Sequence, residues 1–216
     1  MAQYKTILER IDACEKILNG SQKPDMLPLL DPYVTAESVA PGLELLTEAK
    51  TVEREQRRLE NKRKAASAKF STELDAAARA LSATRKLAKV LGRNYPEVLQ
   101  EIGLTESVPG TQKAWIKAAT EFYEDVLDRD DLITVVQNKG LNRARLEREQ
   151  NKVLKLPALH EAAESLDAQR QQHTKDRDAK LWELEDFCVE ILVLAEEALR
   201  EQGKPQLLER LGKVVR

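Results

Sequence analysis

From Leu43 to Leu91, and again from Ala158 to Gln202, the chain contains neither glycine nor proline. Runs of that length without a residue that interrupts the backbone are compatible with long helices and with little else. Ala, Leu, Glu, Lys, Arg and Gln dominate both, and these residues lose least on entering a helix. No segment alternates apolar and polar residues as a half-buried strand does. The expectation is an all-α fold, a bundle of long helices.

Both runs end alike. Leu91 and Gly92 lead through a polar loop to Pro96, Glu97, Val98, Leu99, Gln100, Glu101, Ile102 and Gly103. Leu199 leads through a loop with Gly203 to Pro205, Gln206, Leu207, Leu208, Glu209, Arg210, Leu211 and Gly212. Pro suits the first turn of a helix and Gly the position just past its end. The likeness extends further back. Tyr4, Ile7, Leu8 and Ile11 align with Trp115, Ala118, Ala119 and Phe122, and Leu74, Leu81, Thr84 and Leu91 align with Trp182, Val189, Leu192 and Leu199. The chain therefore reads as two tandem copies of one helical unit, 1–104 and 105–216, packed into one bundle. A period of about 108 residues is far too long for a solenoid repeat.

Within the first copy, a helix is predicted over Ala2–Leu18, with Tyr4, Ile7, Ile11, Cys14 and Leu18 on one face and Asn19-Gly20 at its end. Residues 21–42 carry Pro24, Pro28, Pro32, Pro41 and Gly42 and read as a connector, in which Thr35 is placed to begin a short helical turn. The run from Leu43 is amphipathic at both ends, and Leu74, Ala77, Leu81, Thr84, Ala88 and Leu91 approach a coiled-coil heptad. Its middle, Glu53–Lys64, has one apolar residue, Leu59. Absence of any breaker favours a single helix with a solvated charged waist over a hairpin with its tip near Asn61–Ser71.

The second copy repeats this plan. Thr111 is the expected N-cap of a helix whose face is Trp115, Ala118, Ala119, Phe122 and Val126. Leu132, Ile133, Val135 and Val136 fill the connector's core role, and Gly140 ends it. A helix over Asn142–Leu154 precedes Pro157 and the second long run, whose middle, Asp167–Lys180, is again polar. Phe187–Ala195 is apolar on all sides except at Glu190, the pattern of a buried central helix around which both copies pack.

Charge separates the copies. Overall the chain carries 35 basic and 37 acidic residues, a net of −2, which argues neither for nucleic acid nor for a membrane. Residues 74–93 hold Arg79, Arg85, Lys86, Lys89 and Arg93 against Asp75, a net of +4. Their counterparts, 182–201, hold seven carboxylates against Arg200, a net of −6. Surfaces so charged attract, within a chain or between chains. They would govern pairing rather than stability, because an exposed ion pair contributes about 0–1 kcal/mol.

Residues for chemistry are sparse. Cys14 and Cys188 form no cluster and read as small buried apolar residues in a reducing compartment. With Lys5, Glu9, Arg10 and Asp12 and no continuous apolar core, the N-terminal segment is not expected to be a signal peptide. Phe187–Ala195, the longest apolar run, falls far short of the ~20 residues that span a bilayer. The cytoplasm is the expected location. His160 and His173 lack the Glu-x-x-His pattern of a carboxylate-bridged metal pair. Asp128, Asp130 and Asp131 open no calcium loop, since Ile133 and Lys139 stand where Gly and Glu belong. Gly203-Lys204 lacks the glycine-rich loop that cradles phosphate. No catalytic residue, metal or cofactor is expected.

The positive signal is basic. Arg54, Arg57, Arg58, Lys62, Arg63 and Lys64 fall within eleven residues, and positions 54, 58 and 62 line one side of a helix, a spacing that suits phosphates. Glu53, Glu55 and Glu60 are interleaved, however, and no aromatic is present to stack on bases. The expected function is non-enzymatic: protein–protein interaction or self-association, a homodimer included. Binding of nucleic acid or another acidic partner through 54–64 is the alternative.

The C-terminal residues Arg177-Asp178-Ala179, Trp182, Phe187, Ala195, Ala198-Leu199 and Pro205–Gly212 resemble bacterial all-helical proteins that end in a P-Q-L-L-E-x-L-G segment. The resemblance covers the last forty residues or so and implies a helix-end structure, with no activity attached.

Overall fold

The computed structural model describes residues 6–91, 93, 96–102, 104, 107–137 and 140–212. Ala2, Tyr4, Lys5, Gly92, Gly103 and Lys139 lie outside these residues, as do the side chains of Leu91, Val98, Leu99, Leu132, Val135 and Val136. Every regular element described is helical. In chain order these are α1 (Ile7–Ser21), α2 (Leu27–Leu30), α3 (Ala36–Leu91), α4 (Pro96–Glu101), α5 (Gln112–Leu127), α6 (Asp130–Val136), α7 (Arg143–Leu154), α8 (Leu156–Glu201) and a closing 3-10 helix, Pro205–Leu211.

Two compact units form, Met1–Glu60 with Ala168–Arg216, and Asn61–Asp167. Both boundaries fall inside uninterrupted helices, α3 and α8, so each unit takes residues from both halves of the sequence.

In the first unit, Thr6 caps α1 through a reciprocal pair of bonds with Glu9, at 3.2 and 2.9 Å. The helix runs past the expected stop at Asn19-Gly20 to Ser21. Gly20 is a point of close approach there, because a Cβ on it would lie 2.8 Å from Leu211 Cδ2. Helix α3 begins seven residues before the expected Leu43. The backbone N–H of Thr35 donates to Ser38 Oγ (2.9 Å), and that of Ser38 to Thr35 Oγ1 (3.1 Å). This cap starts the helix early enough that Pro41 is its sixth residue, where the ring costs one bond rather than the element. Gly42 then fits where a Cβ would collide with Phe187 Cε1 at 2.3 Å and Leu18 Cδ2 at 2.8 Å. The Pro-Gly pair that reads as a loop in sequence is a tight helix crossing in space.

The polar middle of α3 is solvated on one side only. Along the first unit it runs antiparallel to α8, through Glu48–Lys180 (3.0 Å), Glu53–Arg177 (3.8 Å), Gln56 Nε2 donating to Thr174 Oγ1 (2.8 Å), and Glu60–Arg170 (3.6 Å). Glu53 and Gln56 are each only 7% exposed. Beyond this seam Ile11, Leu18, Leu30, Val39, Leu46, Leu184, Leu199 and Leu211 close an apolar core.

The second unit packs α5 against α6 and α7. Thr111 precedes α5 with extended backbone, as expected, although its side chain makes no capping bond. The Asn142 side chain does cap α7, accepting from the Arg145 backbone N–H at 2.9 Å. Phe70, Ala77, Leu81 and Ala88 of α3 meet Phe122, Val126, Leu146 and Val153 in the core. Thr84, expected on this apolar face, instead donates to Glu149 Oε2 (2.6 Å), which also accepts from the Tyr123 hydroxyl (3.0 Å). Arg145 Nε donates to Glu149 Oε1 (2.9 Å). One carboxylate thus ties α3, α5 and α7 together, and its bonds offset the cost of burying it.

Candidate protein interface

Phe187–Ala195 departs from its expected place at the centre of both copies. It belongs to the first unit, where Leu184, Cys188, Ile191 and Ala195 face the core. The opposite side is open: Trp182 is 69% exposed, Val189 42% and Val193 60%. At 100° per residue, Trp182, Asp186, Val189 and Val193 share an arc of about 60°. The segment is apolar all round because one face is core and the other is an uncovered surface stripe. The alignment pairs Trp182 and Val189 with Leu74 and Leu81, yet Leu81 is buried where Val189 is exposed, and between positions 181 and 191 the buried residues of α8 are Leu181, Leu184, Cys188 and Ile191.

Most carboxylates around this stripe are already engaged. Arg10 donates to Glu185 through Nε (2.7 Å) and a second nitrogen. Lys180 bonds Glu183 (2.8 Å), Arg200 lies near Glu196 and Glu197, and the Tyr33 hydroxyl donates to Glu201 (2.7 Å). Asp186 and Glu190 are exposed and make no ion pair among the described residues.

The corresponding stretch of α3, in the second unit, also turns a face outward. Arg79, Ala83, Lys86 and Val90 are exposed and share a second arc of about 60°, flanked by Leu87 and Lys89. Arg85 is turned inward, its guanidinium 5.6 Å from the centre of the Phe122 ring.

The predicted basic stretch is divided. Arg54, Arg57 and Arg58 lie in the first unit, and Lys62, Arg63 and Lys64 in the second. Arg57 Nε donates to Glu53 (2.8 Å) and Arg63 lies 3.9 Å from Asp167. Arg54, Arg58 and Lys62 are exposed.

Three of the residues weighed for chemistry, His160, Asp130 and Asp131, have structural partners. His160 stacks on Phe70 with ring centres 5.0 Å apart, Asp130 accepts from Arg143, and Asp131 from Arg129. Cys14 and Cys188 are both buried in the first core, with Cys188 Sγ 3.8 Å from the Cys14 carbonyl oxygen. Among the described residues, no three His, Cys, Asp or Glu side chains stand close enough to hold a metal, and no helix is long and apolar enough to cross a membrane. The chain matches no known family, no curated protein and no solved structure.

Sequence reasoning missed the α8 stripe because an apolar-all-round helix and a helix with one uncovered apolar face have the same composition. It also missed the Glu149 network. The one signal for it was Thr84 standing alone on an otherwise apolar face.

Proposed function

We propose that this is a non-enzymatic helical-bundle protein that binds another protein, or a second copy of itself, through the exposed face of α8. The observation that carries the reading is Trp182 at 69% exposure in line with Val189 and Val193. A solvent-facing apolar line headed by tryptophan, with two unengaged carboxylates beside it, has the make-up of a recognition surface. The test replaces Trp182, Val189 and Val193 together with Ser. The variant should keep its circular dichroism and thermal midpoint while losing association by light scattering and losing the proteins retained from native lysate. Equal retention by wild type and variant would contradict the reading.

The same proposal takes the chain as a tandem duplication in which each copy lends the far half of its long helix to the other copy's unit. Three observations support it. The first unit comprises α1, α2, the start of α3, the end of α8 and the 3-10 helix; the second comprises α5, α6, α7 with the start of α8, the end of α3, and α4. The boundaries after Glu60 and Asp167 are 107 residues apart (167 − 60). Buried Ala77, Leu81, Thr84 and Ala88 recur at that same spacing as Leu184, Cys188, Ile191 and Ala195. The recurrence of buried positions supports a period of 107 for the long helices, one residue short of the alignment that pairs Leu74 with Trp182.

Nucleic acid or another acidic partner on the basic stretch is the second reading. It is supported by the exposure of Arg54, Arg58 and Lys62 and weakened by the engagement of Arg57 and Arg63.

A further inference from the structure

We infer that the partner seated on the α8 stripe is a second copy of this chain, presenting the Arg79–Val90 face of its α3. This rests on the α8 face being a docking surface and names what docks there.

The two stripes share one spacing. Trp182, Asp186, Val189 and Val193 fall at i, i+4, i+7 and i+11, and so do Arg79, Ala83, Lys86 and Val90. Both are exposed. Laid antiparallel, they complement each other at three of the four steps. Trp182 meets Val90, Asp186 meets Lys86, and Val189 meets Ala83, whose small side chain lets the helices approach. Val193 falls beside Arg79, one turn from Glu190, the other unengaged carboxylate of the α8 face. Laid parallel, Trp182 meets Arg79 and Val193 meets Val90, but Asp186 meets Ala83 and Lys86 meets Val189, which leaves the stripe's one carboxylate without a cation. Charge therefore selects the antiparallel arrangement.

Unlike most carboxylates near the stripe, Asp186 makes no ion pair among the described residues, and neither do Arg79, Lys86 and Lys89. A neighbouring copy supplies the missing counter-charges. The net of −6 over 182–201 against +4 over 74–93 steers the same encounter at longer range. A single pair of three-turn stripes is a small interface, so the association is weak and salt-sensitive.

Sedimentation velocity of the full chain over a concentration series, in low and high salt, tests this. Wild type should associate with rising concentration, less so in high salt. Lys86→Glu and Asp186→Lys should each weaken association by about tenfold, and the double variant should restore it, since the reversed charges again oppose each other. Circular dichroism confirms that each variant folds. A wild type that stays monomeric at every concentration overturns the inference. Association that is lost in Trp182→Ser but indifferent to the charge exchange also overturns it, while leaving α8 as a docking surface for something else.

Discussion

Glu53 of α3 and Arg177 of α8 face each other at 3.8 Å, with side chains only 9% and 18% exposed, in the most highly charged part of either helix. Glu53 also accepts from Arg57 on its own helix. The carboxylate is thus shared between a cation one turn away and one from the opposite end of the sequence. Glu53→Ala leaves Arg177 largely buried without this partner and should destabilise the first unit by about 1–3 kcal/mol, read as a lower urea midpoint. A midpoint equal to wild type would show that the seam is solvated after all.

Tyr123 sets an alkaline limit on the second unit. Burial foremost, and then the neighbouring Glu149 charge, push its hydroxyl well above the ordinary tyrosine range. In the unfolded chain the same hydroxyl ionises near pH ~10. The folded state holds the proton more tightly, so this contribution is complete below about pH 10 and is lost as pH rises above it. Tyr123→Phe should reduce that alkaline fall, at a cost of about 1 kcal/mol near neutrality because Glu149 loses a donor. Urea midpoints measured across neutral to alkaline pH check both halves.

Gly42 is required by contact rather than by backbone conformation. Gly42→Ala puts a methyl against Phe187 and Leu18 and should cost about 1–3 kcal/mol by overpacking. Phe187→Leu in the same chain should recover part of that loss. Thermal midpoints of the two singles and the double give the coupling directly.

Replacing Arg54, Arg58 and Lys62 with Glu should leave the fold unchanged, since all three are exposed. On the protein-interface reading, wild type should not retard single- or double-stranded nucleic acid in a gel at low salt. A retarded band abolished by the triple variant would establish the alternative.

The helical class, the N-terminus of α7 and the Pro-to-Gly frame of the closing 3-10 helix were legible in the sequence, since propensity and end signals act over a few residues. Pro41 and Gly42 misled because their local meaning, a break, yielded to the Thr35–Ser38 cap and to packing against Phe187. The polar middles misled because partners such as Glu53 and Arg177 are distant in sequence, and local spacing carries no trace of them. The α8 stripe stayed hidden because composition cannot say which side of Val189 or Val193 is covered.

The most direct measurement is the fluorescence of Trp182 alone, in a Trp115→Phe chain, followed across a concentration series. The account predicts the emission of a water-exposed indole at high dilution and a blue shift as copies associate, reversed by salt. Emission that is already blue at high dilution, or that stays unchanged to the highest concentration, would contradict it.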